Sequence, residues 1–157
     1  MNYLKKIAAG AILSMLAGTV LAESHIDPAL AGAIKARQAH MSLYNFNLAI
    51  LGNMAQDKTP YDAEAATAAA TNLAALAALS QAGYWPQGSD SASVEGTRAL
   101  PAIWETYPAI VEKATALSDA AAALAVVAGN DLDSLKATIG PVGAACGSCH
   151  KSFRQPG

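Results

Sequence analysis

Cys146-Gly147-Ser148-Cys149-His150 is the stretch on which the reading of this chain turns. It has the pattern C-x-x-C-H: two thiols spaced to add to the vinyl groups of one haem, followed by an imidazole that binds its iron. On a helix the three side chains stand at i, i+3 and i+4, so they leave one face and converge on one flat ligand. Structural zinc and a redox dithiol are the competing uses of paired cysteines. Zinc needs further ligands, and beyond His150 the sequence holds no third cysteine and only His25 and His40. A thioredoxin-like pair opens a helix after a strand, and nothing upstream of Cys146 alternates as a strand does. A disulfide across i and i+3 closes a tight, strained ring. The motif therefore implies one covalently attached haem c per chain.

Towards the N-terminus, Leu132, Leu135, Ile139, Val142, Cys146, Cys149 and Phe153 recur at steps of three and four. Both cysteines thus fall on the apolar stripe of one helix, begun by Asp131 or Asp133. Gly140-Pro141 in its middle predicts a bend one to two turns before the haem site. The preceding segment, about 101–130, repeats the stripe with Ile103, Tyr107, Ile110, Ala114, Leu117, Ala121 and Leu124, and stops at Gly129-Asn130. Pro108 lies within it and predicts a kink or break in the first turns, because proline removes a backbone donor. Residues 82–98 change to Gly, Pro, Ser and Asp, a long loop for a helix connection, with Tyr84-Trp85-Pro86 placed to pin it against the helices.

A segment of about 59–81, capped by Thr59 or Asp62, is dominated by alanine, with Leu73, Leu76 and Leu79 for bulk. Such a surface lets a neighbouring helix or a cofactor approach closely and serves equally as a subunit interface, so a homodimer is one expectation. The first segment, about 27–57, opens on Asp27 as cap with Pro28 in the first turn. Leu30, Ile34, Arg37, Met41, Tyr44, Leu48 and Leu51 form its stripe, with a cation set inside an apolar face. Four such stripes without period-two alternation predict an all-α protein, an antiparallel up-down four-helix bundle with one covalently bound haem.

At 157 residues the chain suits one domain, from which residues 1–22 stand apart as a signal peptide. Lys5 and Lys6 precede an apolar run from Ile7 to Leu21, and Val20-Leu21-Ala22 offers the small residues of a cleavage site. The run is short for a span of ~20 apolar residues, so cleavage is expected, with no stable membrane insertion afterwards. The bundle domain is then 23–157 and its location the periplasm, which suits c-type haem, attached outside the bacterial cytoplasm. Taking Lys5 and Lys6 from the 10 basic residues leaves 8 against 12 acidic ones, a net charge of −4. That balance argues against nucleic acid. It fits a redox partner with a basic docking patch, or simply a soluble acidic surface.

C-x-x-C-H at the end of the last of four helices resembles the class II cytochromes c, the family of cytochrome c′ and its low-spin relatives of the c-556 kind. The resemblance rests on Arg37-Gln38, Trp85-Pro86, Pro101 to Trp104 and Cys146 to Arg154, and covers nearly all of residues 23–157. Most mitochondrial-type cytochromes c carry the motif near the N-terminus instead. What the resemblance implies is thioether bonds at Cys146 and Cys149, His150 as proximal iron ligand and Arg154 beside that imidazole. It also implies Arg37 near a haem propionate and Met41, four residues on, across the iron from His150. Snorkelling of Arg37 to solvent from the edge of the stripe is the alternative.

Met41 then divides two functions. In five-coordinate cytochromes c′ a bulky, non-ligating group at this position leaves the iron open to small gases. A thioether binds iron and closes the sixth site, and His/Met ligation suits electron transfer. The plainer reading of Met41 is a core methionine filling a gap. Met54 lies near the helix end. His40, about 100° around the helix from Met41, does not face the iron together with it. It reads as a surface or edge histidine, with bis-histidine ligation as the alternative. Trp104 reads as core, and Tyr44 stays open between core and distal side. The sequence thus points to a periplasmic mono-haem one-electron carrier with His/Met-ligated iron, not an enzyme, serving redox partner proteins. Its alternative is a five-coordinate protein binding nitric oxide or carbon monoxide. A peroxidase needs a distal acid/base pair, and the expected distal face carries no carboxylate.

Overall fold

The computed structural model describes residues 26–156, so the expected signal peptide at 1–22 lies outside the described residues. The helices are α1 (Pro28–Ala55), α2 (Ala63–Ala78), the one-turn α3 (Ala102–Glu105), α4 (Tyr107–Val127) and α5 (Leu132–Phe153). Among the described residues there is no strand, only an isolated antiparallel bridge between Ala99 and Arg154. The four long helices pack in a ring, α1 on α2, α2 on α4, α4 on α5 and α5 back on α1, and alternate up and down.

Local rules explain where each helix starts. Asp27 accepts the Ala29 N–H at 2.8 Å and Pro28 fills the first position of α1, where its missing N–H costs nothing. Asp62, not Thr59, caps α2 by accepting from Ala65 at 2.9 Å, and Asp131 caps α5 by accepting from Ser134 at 2.7 Å. Pro108 has the expected effect: the third segment divides at Thr106, and α4 restarts with the proline in its first turn. At Pro141, as the stripe running through it leads one to expect, α5 continues in one piece from Leu132 to Phe153. Leu135 and Val142, each almost wholly enclosed on either side of Gly140, hold it against the bundle.

The core gathers the stripes. Leu51, Leu73, Leu124 and Leu135 are fully enclosed, and Ala66, Ala69, Ala70, Ala121 and Ala128 pack between them. Alanine on α2 is what lets α4 come close. A Cβ placed on Gly129, just beyond α4, would lie 1.9 Å from the Thr67 hydroxyl and 3.2 Å from the Ala63 carbonyl.

Both ends of the bundle are tied. At one, the Tyr61 hydroxyl donates to the Ala128 carbonyl at 2.9 Å, and Lys136 of α5 pairs with Asp57 beyond α1 at 2.8 Å. At the other, the long loop after α2 folds over the end of α5. The Leu100 N–H donates to the Phe153 carbonyl at 3.0 Å and the Gln155 N–H to the Arg98 carbonyl at 2.8 Å. That clasp lies beside the last two turns of α5, where the C-x-x-C-H motif sits.

Candidate haem site

Cys146 and Cys149 are both free thiols, half-buried on α5. Burial pushes both thiol pKa values up; at Cys149 the neighbouring Cys146 adds to the rise and Lys113 opposes it. Thiols so held are protonated at neutral pH, unlike the depressed, thiolate-rich pair of a redox dithiol. Among the described residues no group of His, Cys, Asp and Glu is gathered that could hold a metal ion by itself, which removes the zinc reading there.

His150 is half-buried, and among the described residues neither ring nitrogen has a hydrogen-bond partner. Burial lowers its pKa, and the charges of Arg154 and Arg98 lower it further. The imidazole is therefore neutral, the form that binds a metal. Two unengaged thiols and a neutral imidazole on one helix face form a donor set that fits a covalently attached haem.

Met41 lies on the part of α1 that is level with this end of α5. The Asp57–Lys136 pair sets the register between the two antiparallel helices. Met41 lies 16 residues before Asp57 and His150 14 residues after Lys136. At ~1.5 Å per residue the two side chains stand within about one helical turn of the same level. Met41 is 38% exposed, although its stripe neighbours Arg37 and Tyr44 are only 3% and 7% exposed. Met54 is packed in the core towards the far end of α1. Tyr44 is core as well, and its phenol is pushed up to about 12, by burial first and then by Cys146.

Arg37 does not snorkel. Its guanidinium donates to the Tyr84 carbonyl at 3.2 Å, the Ser89 hydroxyl at 2.7 Å, the Thr97 hydroxyl at 2.7 Å and the Ser89 carbonyl. Its central carbon lies 4.9 Å from the centre of the Trp85 ring, a cation–π distance. Burial pulls its pKa below the ordinary value while the Asp90 carboxylate holds it up. Four N–H groups thus serve the loop, leaving one of the five for any other acceptor. Ser89 and Thr97 are buried partners of Arg37 that the sequence does not announce, since they sit in a Gly- and Ser-rich stretch with no periodic signal.

His40 corrects an expectation. Far from lying at the surface, it is 3% exposed, with its ring 4.7 Å from that of Tyr44 and 5.7 Å from that of Tyr84. Its Nε2 has no hydrogen-bond partner among the described residues. Burial lowers its pKa, the Leu76 backbone opposing. The cover comes from Tyr84 in the loop, which α1 periodicity does not foretell. Trp104, expected in the core, is half-buried and donates to the Trp85 carbonyl at 3.0 Å, with the two indoles 6.4 Å apart. The aromatic pair does pin the loop, Tyr84 on His40 and Trp85 on Arg37. Arg154 caps α5, exposed, and its charge reaches His150.

A sequence profile described as Cytochrome C′ matches residues 32–154. The chain belongs to the cytochrome c′ family. Proteins of this family carry covalently attached haem c, and their fold is a four-helix bundle. Cytochrome c-554 of Cereibacter sphaeroides is 44% identical over 122 residues, covering 78% of this chain and 80% of that one. Among solved structures, cytochrome c′ from Rhodobacter Spheriodes superposes with a TM-score of 0.80 at 34% identity, covering 82% of this chain and 98% of that one. A nitric oxide complex of a mutant cytochrome c prime from Alcaligenes xylosoxidans superposes with a TM-score of 0.69 at 31% identity, covering 81% and 97%. Among the described residues no helix is long and apolar enough to cross a membrane.

Proposed function

We propose that the protein is a periplasmic mono-haem electron carrier whose iron is held between His150 and Met41. The observation that carries this reading is the Met41 thioether. It is a soft donor on the α1 face, level with His150, and protein atoms leave it 38% exposed while its stripe neighbours are enclosed. When bound, haem c supplies a one-electron Fe(III)/Fe(II) couple.

The chain's residues do the rest. Cys146 and Cys149, the only two cysteines of the sequence, hold the group by thioether bonds. His150 offers a neutral imidazole, kept so by burial and by the cations Arg154 and Arg98. Met41 would supply the soft thioether that keeps water and small gases from the iron, and such a sulfur favours the reduced state. Both ligands stand on helices locked by enclosed side chains, Leu51 on α1 and Leu135 and Val142 on α5, so their geometry changes little between oxidation states. Arg37 holds the covering loop in place one turn from Met41.

A second reading, a five-coordinate protein that binds small gases, is favoured by the nitric oxide complex known for a relative of this fold. In that reading Met41 walls the sixth position without binding the iron. The ferric spin state before and after Met41→Ala separates the two: ligation by Met41 gives a low-spin parent that turns high-spin in the variant, whereas a walling Met41 gives a high-spin signal in both. Carbon monoxide should bind the reduced parent slowly and the Met41→Ala protein markedly faster; equal binding before and after the change refutes ligation by Met41.

A further inference from the structure

Charge is unevenly distributed along the bundle. At the end where α2 and α5 begin lie Asp57, Asp62, Glu64, Asp131 and Asp133, against Lys58 and Lys136. Lys136 is already engaged by Asp57 at 2.8 Å. At the other end, where the C-x-x-C-H motif closes α5, the cations Arg98, Lys113, Lys151 and Arg154 gather. Lys151 and Arg154 follow His150 in the chain. Arg98 is brought to them by its hydrogen bonds to the Gln155 carbonyl, at 2.6 and 3.0 Å, and by the Ala99–Arg154 bridge. Arg98, Lys151 and Arg154 are exposed and Lys113 is half-buried, and none of the four pairs with a carboxylate among the described residues.

No carboxylate of this half forms an ion pair with the rim cations among the described residues. Asp90 is turned into its own loop, accepting from the Ala92 and Ser93 N–H groups and the Ser93 hydroxyl, and Asp27 caps α1. Glu95, Glu105 and Glu112 stay at the surface. The charges felt at His150 are those of Arg154 and Arg98, and the cation felt at Cys149 is Lys113.

We infer that this cationic rim is the molecule's docking surface and that it receives a redox protein presenting a carboxylate-rich face. The inference rests on the electron-carrier reading and reverses what the net charge of the chain suggests. Net charge governs a partner only at long range; within a Debye length of ~8–10 Å the local rim dominates. With Lys35 and Arg37 this half holds six cations against five carboxylates, and the far end two against five, so the charges form a dipole along the bundle that turns the motif towards an anionic partner before contact.

Stopped-flow electron transfer with the holoprotein tests this, using ferricyanide as anionic probe and hexaammineruthenium as cationic probe. Salt is varied from roughly 10 mM to roughly 0.2 M, which shortens the Debye length from about 30 Å to under about 10 Å. The ferricyanide rate constant should fall with salt and the hexaammineruthenium one should rise. The paired changes Lys113→Glu and Lys151→Glu should cut the low-salt ferricyanide rate several-fold, and Lys58→Glu at the far end should leave it nearly unchanged. Added poly-glutamate should slow ferricyanide in the parent and not in the double variant. The opposite salt dependence, equal effects of near and far substitutions, or indifference to poly-glutamate overturns the inference. The spin state of the same sample judges the carrier reading separately: a high-spin ferric signal removes that reading, and the rates still decide the surface.

Discussion

Replacing Arg37 by Met keeps the length of the side chain and removes its donors. The structure sets the size of the effect. Four hydrogen bonds are lost, to the Tyr84 carbonyl, the Ser89 carbonyl and hydroxyl, and the Thr97 hydroxyl. The two hydroxyls are not orphaned, because Ser89 still donates to the Pro86 carbonyl at 2.7 Å and Thr97 still accepts from the Ala99 N–H at 3.3 Å. The two carbonyls are. An acceptor left buried without a donor costs about 1–3 kcal/mol. Ser89 is fully enclosed and carries the full penalty, whereas Tyr84 is half-buried and carries less. Removing a buried cation also relieves its desolvation, so the net loss should be about 3 kcal/mol, a large part of the 5–15 kcal/mol that holds a domain of this kind together. Urea denaturation of the holoprotein followed by circular dichroism measures it, with amide hydrogen exchange over residues 84–97 as the local readout. A stability change under about 0.5 kcal/mol with unaltered loop exchange would refute the reasoning. It would move the guanidinium's role to another acceptor, such as a haem propionate, where the haem spectrum would register its loss.

Two further outcomes are expected. Tyr44, whose pKa burial above all raises, keeps its proton in the folded state after the unfolded phenol has lost it near ~10. Its contribution to stability is whole below about pH 10 and is lost as the pH rises towards about 12. Carbon-13 NMR of the tyrosine ring follows the titration, and an ordinary midpoint near ~10 would contradict the burial argument. Gly129→Ala should destabilise by about 1–3 kcal/mol, because the new methyl meets the Thr67 hydroxyl at 1.9 Å. Thr67→Ala in the same protein should return part of the loss, and strict additivity in a thermal-unfolding cycle would show that the two sites do not meet.

What the sequence disclosed followed from how local each cause was. The caps at Asp27 and Asp131 and the break at Pro108 are decided within one turn, whereas the stripe of α1 was legible only in part: Ile34, Arg37, Tyr44 and Leu51 are buried as expected, but His40 and Asn47 take buried places and Met41 is 38% exposed. At Pro141 the local rule and the repeat pull apart, and the repeat is the better guide: α5 stays in one piece with Leu135 and Val142 enclosed. The burial of His40 depends on Tyr84, and that of Ser89, in a stretch whose composition reads as exposed loop, depends on Arg37 reaching it from α1. Nothing near either residue in sequence announces the contact. The cationic rim was hidden for the same reason: net charge sums over both ends of the bundle, and Arg98 joins Arg154 only through the fold.

Optical and EPR spectra of the ferric holoprotein test the central claim most directly. Iron held by His150 and Met41 should give a low-spin ferric signal together with a methionine-to-iron charge-transfer band. A high-spin ferric signal without that band would contradict it.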